Sequence, residues 1–341
     1  MDLNTMDINV QSVFLNYKNV LLHSAANSGD HALVHFLLDQ CKADPNAVQG
    51  TTTPLFVASE NGHVEVTKLL IKYGADVNLD HSSTIVADGF RLLGDHEEDS
   101  TEAYEVTPLQ IAVIGKQLET AKILIENGAK VNIELGVDSG YTPLFSAVLN
   151  ESFEIAKFLI ANGAEIHSQH RETTLLQIAC QDRHLDMVKL LVDNGANIHQ
   201  RSKYGKTNLY IAAYAGNFEI VKFLLELGAD ICGKTYGDLP IHGVIRGWTR
   251  HRDESFMKTL QILATPETVN ISGKHRTPLG LAAEKGLIQV VKHLLENGAI
   301  PDLSDFQAAK NEQIIKLLKK TTKGNNGNKS QMNKRSRTLS S

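Results

Sequence analysis

The 341-residue sequence predicts an all-α repeat solenoid, a stack of helix-turn-helix units joined by β-hairpin loops. Three observations predict it. A six-residue phrase returns along the chain: Thr-Pro-Leu-Phe-Val-Ala at 53–58, Thr-Pro-Leu-Gln-Ile-Ala at 107–112, Thr-Pro-Leu-Phe-Ser-Ala at 142–147, Thr-Leu-Leu-Gln-Ile-Ala at 174–179, Thr-Asn-Leu-Tyr-Ile-Ala at 207–212 and Thr-Pro-Leu-Gly-Leu-Ala at 277–282, with degenerate copies at Leu21–Ala26 and Leu239–Val244. Its third position recurs near a 33-residue interval, with two longer steps. Leu22, Leu55, Leu109, Leu144, Leu176, Leu209, Ile241 and Leu279 are separated by 33, 54, 35, 32, 33, 32 and 38 residues. A second phrase, Gly-Ala, keeps register with the first, at Gly74-Ala75, Gly128-Ala129, Gly163-Ala164, Gly195-Ala196, Gly228-Ala229 and Gly298-Ala299. Two phrases in register over most of a chain mark a repeat architecture and move the functional question from catalysis to binding surface.

Each element follows from local chemistry. Residues 1–18 are read as a short helical lead-in, with Val13, Phe14 and Leu15 covering the open end. Eight units fill 19–302, beginning near Asn19, Gly50, Val106, Gly140, Thr173, Tyr204, Tyr236 and Lys274. In each, a Thr such as Thr107 caps the first helix and Pro108 fits its first turn. The second helix shows three–four apolar spacing, as in Val66, Leu69 and Leu70 or Val291, Leu294 and Leu295. It stops at a glycine suited to a left-handed terminal residue. No unit buries its own apolar face, so stability is a sum of neighbour terms. Residues 303–320 form a shortened capping unit, with Phe306, Ile314, Ile315, Leu317 and Leu318 closing the far end. Residues 321–341 read as a disordered basic tail.

Two interruptions break the period. Residues 79–104 carry an acidic stretch, Asp95 to Asp99, beside an apolar piece, Phe90 to Leu93. They read equally as a partner-contact finger or as a tolerated, solvated loop. The seventh unit, 236–273, is extended at Arg246-Gly247-Trp248-Thr249-Arg250-His251-Arg252, which holds the single tryptophan. Trp and Arg are enriched at binding hot spots. The competing reading is that Trp248 fills a packing gap. The binding reading is preferred because an added loop is under no stacking constraint.

The phrase and its period resemble the T-P-L-H-x-A signature of the ankyrin-repeat family over roughly 19–320. The resemblance implies a protein-binding module that uses its hairpin tips and the exposed side of each first helix. It also implies that His23 and His242, at the fourth position of the phrase, bond between neighbouring units. Carried onto this sequence, the contact slots are Lys203, Tyr204, Lys206 and Tyr214 in the sixth unit. In the seventh they are Tyr236, Asp238 and Arg246, with Trp248 and Arg250 nearby, and in the fourth they include Tyr141. The aromatic slots cluster in the sixth and seventh units, where the interface is expected.

Composition narrows the classes. Hydrophobic residues make up 42% and aromatic residues only 6%, which fits helices packed through Leu, Ile, Val and Ala. The apolar runs are too short to span a membrane, and the acidic start is not a secretory signal. Cys41, Cys180 and Cys232 are scattered, which argues for a reducing compartment. From Gln313 onward there are eight basic residues and no acid, so residues 1–312 carry −13 against a formal net charge of −5. An acidic body does not suit nucleic acid.

Residues 228–235 satisfy G-x-x-x-x-G-K-T, but a helical pattern precedes them where a phosphate loop needs a buried strand. His251-Arg252-Asp253 lacks the asparagine of a kinase catalytic loop, with Lys258 in its place. His167 and His199 replace the turn asparagines Asn78 and Asn132 and supply no further metal ligands. The expectation is a monomeric, non-enzymatic scaffold that binds a protein on a concave groove and hairpin tips, with no cofactor, metal, nucleic acid or membrane span. Two alternatives accompany it: a secreted bacterial effector that engages host proteins, and a nucleotide-binding enzyme using 228–235. The expected location is the cytoplasm, with the nucleus or a host cytoplasm open through the basic tail.

Overall fold

The computed structural model describes residues 8–83, 104–134, 141–170, 173–202, 205–248 and 254–322. The inserted residues 84–103 and the tail beyond 322 therefore lie outside the described residues. In chain order the elements are α1 (Ile8–Ser28), α2 (His31–Asp39), α3 (Pro54–Glu60), α4 (Val64–Lys72), β1 (His81–Ser83), β2 (Tyr104–Val106), α5 (Pro108–Ile114), α6 (Leu118–Glu126), α7 (Pro143–Leu149) and α8 (Phe153–Ala161). They continue as β3 (Gln169–His170), β4 (Thr173–Thr174), α9 (Leu175–Gln181), α10 (Leu185–Asp193), α11 (Asn208–Tyr214), α12 (Phe218–Glu226), α13 (Pro240–Gly247), α14 (Glu254–Leu263), α15 (Pro278–Glu284), α16 (Ile288–Glu296) and α17 (Leu303–Ala308). A last helix, α18, covers residues 312–322. It includes Thr321 and Thr322, which the sequence reading placed in the tail.

The chain forms two compact units, residues 1–175 and 176–341. In the first, first helices pack on first helices (α1, α3, α5, α7) and second helices on second helices (α2, α4, α6, α8). In the second unit the same two rows run through α11, α13, α15 and α17 and through α10, α12 and α14. The phrase leucines are the interior of these rows: all eight anchor positions, Leu22 through Leu279, are at most 2% exposed. This is the all-α stack of paired helices that the periodicity predicts.

The predicted caps are made. The hydroxyls of Thr53, Thr107, Thr142, Thr207 and Thr277 accept from the amides of Phe56, Gln110, Phe145, Tyr210 and Gly280 at 3.0–3.3 Å. Where the Thr-Pro is missing, the fold departs from the expectation. The lead-in and the first helix of the first repeat are one helix, α1, because nothing near Asn19 interrupts it.

Asparagines at the hairpin turns tie neighbouring repeats together. Asn78 donates to the carbonyl of Gly128 (3.1 Å) and accepts from the amide of Lys130 (2.8 Å). Asn46, Asn132 and Asn270 repeat this two-way bridge. Each bridge takes the carbonyl of the glycine two residues past a second helix. The 79–104 insertion springs from the same place. Its two ends pair as an antiparallel ladder, β1 with β2, in the register His81↔Val106 and Ser83↔Tyr104. At the far end of the second unit, Ile314 and Leu318 of α18 are fully buried and Phe306, Ile315 and Leu317 are half-buried.

Candidate functional site

The candidate surface lies in the second unit, on the hairpins before α11, α13 and α15 and on the ends of those helices. Arg201 locks two of these hairpins: its guanidinium donates to the carbonyls of Gly205 (3.1 Å) and Lys234 (2.6 Å). The next hairpin closes as a two-residue turn, with Thr235 and Asp238 exchanging backbone hydrogen bonds of 2.7 and 2.9 Å. Its tip is Tyr236-Gly237, with φ of 49° and 90°. Two successive positive φ values are the primed turn that suits a twisted hairpin, and Asn-Gly is its usual occupant. Here a tyrosine occupies the first position, in a backbone conformation that costs a non-glycine residue about 1 kcal/mol or more. Tyr236 is 55% exposed, and Tyr214, at the end of α11, is 51% exposed. The Tyr214 ring stacks on Tyr210 with centroids 6.5 Å apart. Burial, reinforced by the nearby Asp238 carboxylate, pushes the Tyr210 phenol up to about 12, so it stays neutral.

Behind the tip lies a polar network. The Asp238 carboxylate accepts from Arg246 Nε (2.7 Å) and from the amide of Lys274 (2.8 Å). His242 Nδ1 accepts from the amide of Leu239 (3.2 Å), which fixes the tautomer that donates from Nε2 to the carbonyl of Arg276 (3.1 Å). Burial holds this imidazole below its usual range, so it is neutral near pH 7. Arg276 Nε pairs with Glu284 at 2.9 Å, and Lys285 donates to the carbonyl of Arg246 at 3.1 Å. Thus His242 joins the seventh repeat to the eighth, and His23 joins the first to the second through Thr52 Oγ1 (2.9 Å).

Two predicted contact residues are corrected by this geometry. Asp238 is 6% exposed and is engaged by Arg246 and the Lys274 amide, so the geometry gives it a positioning role behind the surface. Tyr141 is 4% exposed, and its ring lies 5.1 Å from Phe145. It is a packing residue of the first unit. Trp248 is not in an unconstrained loop. It caps α13, is half-buried, and meets Phe256 edge-on at 5.7 Å, with the Arg183 guanidinium 5.9 Å from the centre of the same Phe256 ring. Lys206 is exposed beside Tyr214's helix, and Arg246 is about a third exposed. Lys203, Tyr204 and Arg250 lie outside the described residues.

Models of known families match this architecture over most of the chain. Ankyrin repeats (3 copies) match residues 4–85, 86–170 and 165–235, and a further ankyrin repeat matches 274–306. The chain belongs to the ankyrin-repeat family. Ankyrin repeats generally mediate protein–protein interactions. Among similar proteins is the glycerophosphocholine phosphodiesterase GDE1 of Candida albicans, 31% identical over 286 residues, which cover 80% of this chain and 23% of that protein. Another is the 26S proteasome non-ATPase regulatory subunit 10 of Dictyostelium discoideum, 43% identical over 56 residues, covering 16% of this chain and 24% of that protein. The chain thus spans about a quarter of the length of each of these relatives.

Within an ankyrin stack the phosphate-loop-like segment has an ordinary place. Helix α12, not a strand, leads into Gly228, and the segment turns into the hairpin, with the amide of Cys232 on Asp230 Oδ1 (2.9 Å) and that of Gly233 on the Asp230 carbonyl (3.0 Å). The next helix, α13, begins only at Pro240. The strand–loop–helix geometry that wraps phosphate is not formed. No helix among the described residues is long and apolar enough to cross a membrane.

The residues missed from sequence are Arg276, Glu284 and Lys285. They sit before the Thr-Pro-Leu and after the Ala-Ala of the eighth repeat. The same slot rule that selected Lys206 and Tyr214 would have selected them had it been carried one repeat further.

Proposed function

We propose that this ankyrin-repeat chain is a non-enzymatic scaffold that holds a partner protein through the hairpin tips and exposed first-helix ends of its sixth to eighth repeats. The observation that carries this reading is Tyr236, a large aromatic half in solvent at a turn position that favours asparagine or glycine. Tyr236 keeps a costly conformation with half its surface exposed, and such costs cluster where binding uses them. Tyr214 and Lys206 lie on the neighbouring repeat, and tyrosines supply contact area at low entropic cost. The −13 charge of residues 1–312 steers a basic or mixed-charge partner.

The reading assigns no catalysis to this chain. The likeness to a phosphodiesterase covers less than a quarter of that enzyme, and the stretch it covers here is mostly ankyrin repeats. Cys41 and Cys180 are free and buried, which supports a reducing, cytoplasmic setting. The test is capture of protein partners by the full chain against a Tyr214→Ala/Tyr236→Asn variant of matched melting temperature. The reading expects at least a tenfold loss of the specifically captured protein. Undiminished capture would place the interface elsewhere.

A further inference from the structure

A cavity of about 290 Å³ in the second unit is lined by His242, Arg246, His275, Arg276, Leu281 and Glu284. Its role depends on the partner-binding function proposed for this surface and concerns the chemical group the partner inserts. Arg246 and Arg276 each engage an internal carboxylate through Nε, at 2.7 Å to Asp238 and 2.9 Å to Glu284. Their Nη groups have no hydrogen-bond partner among the described residues, and 35% and 32% of the two side chains are exposed. A guanidinium pinned at Nε keeps its remaining fork of donors in a fixed orientation. That fork matches a carboxylate.

The cavity lining carries two guanidinium groups, Arg246 and Arg276, and one carboxylate, Glu284. Around it, Lys285 adds a third cation, and Asp238 and Asp305, which acts electrostatically on Arg276, add two further carboxylates. His242 is engaged at both nitrogens and neutral, so it adds nothing. Unpaired Nη donors on two guanidinium groups that line one pocket favour an anionic acceptor. We infer that this cavity is a carboxylate slot, which takes one Asp or Glu side chain of the partner protein on the Nη donors of Arg246 and Arg276, with its stem against Leu281. A single planar carboxylate meets these donors with one negative charge. A phosphoryl dianion would set a second negative charge against Glu284.

The test uses the full chain and a displayed library of random twelve-residue peptides. The expected result is a family of binders with an Asp or Glu at one fixed position beside apolar or aromatic residues. Changing that acid to its amide should weaken binding at least tenfold. Arg276→Gln should weaken the acidic peptide similarly and leave the amide peptide unaffected, so the two changes are not additive. Arg276 is the better position to vary, because its partner Glu284 is 45% exposed whereas that of Arg246 is buried. The peptide change leaves the protein untouched, so a folding defect cannot mimic the result.

Binders without a fixed acid, an amide swap without effect, or additive losses would overturn the slot. Tighter binding on replacing the acid by phosphoserine would overturn the single-carboxylate assignment. Peptides that lose affinity with Tyr214→Ala/Tyr236→Asn yet ignore the amide swap would remove the slot and leave the interaction reading standing. Peptides indifferent to both sets of changes would contradict both.

Discussion

Individual residues divide into those buried in the stack and those that present surface. Tyr236 belongs to the second group, being 55% exposed, and its turn and surface roles can be separated. Tyr236→Asn places a residue that tolerates the left-handed conformation at φ 49°. It should raise stability by about 0.5 kcal/mol in urea denaturation while reducing partner binding. His242 belongs to the first group. Its folded pKa is depressed, so the unfolded chain binds its proton more readily, and the stability it contributes is present above the unfolded value of 6.5 and lost as pH falls through the lower folded one. Melting temperature should therefore drop between pH 7 and pH 5, and His242→Gln should shrink that drop. Trp248→Ala should cost stability as well as binding, since the ring packs on Phe256. The sequence shows the slot a side chain occupies within its repeat, and the neighbouring repeat decides its fate. Tyr141 and Lys206 both directly precede the phrase, yet one finds Phe145 and is buried while the other is exposed. Asp238 looked solvated because its partners, Arg246 and the Lys274 amide, lie 8 and 36 residues away.

At the level of the element, the legible features are those that depend on nearby residues. The Thr-Pro caps, the Gly-Ala stops and the three–four apolar spacing all translate directly into helix ends and buried faces. Leu144→Ala and Leu209→Ala should each cost about 2–5 kcal/mol, because both side chains are at most 2% exposed. Thr107→Ala should cost about 1 kcal/mol through loss of its capping box with Gln110. Denaturant titration checks all three. Helix α1 was not legible as one element because a break was inferred from the repeat boundary. The local sequence there contains no capping Thr, no Pro and no Gly. The asparagine bridges were visible only as turn residues. Their reach to the next repeat, as from Asn78 to Gly128 across the insertion, needs three dimensions.

For the whole molecule, family membership follows from repetition, since two phrases in register specify a stack whatever the surface residues are. Surface chemistry has no such redundancy, which is why the fold was readable and the partner was not. The scaffold proposed above places the activity in what the helix pairs present. Purified protein should accordingly neither hydrolyse glycerophosphocholine nor bind ATP, as checked by product assay and calorimetry. ATP binding that is lost in Lys234→Ala would revive the phosphate-loop reading.

The most direct measurement is amide hydrogen exchange of the full chain with and without a selected acidic peptide. Protection is expected at 205–215, 234–248 and 273–285, the hairpins and first-helix ends that carry Tyr214, Tyr236, Arg246 and Arg276. Protection confined to the second helices α12, α14 and α16, or to residues 8–134, would contradict the account.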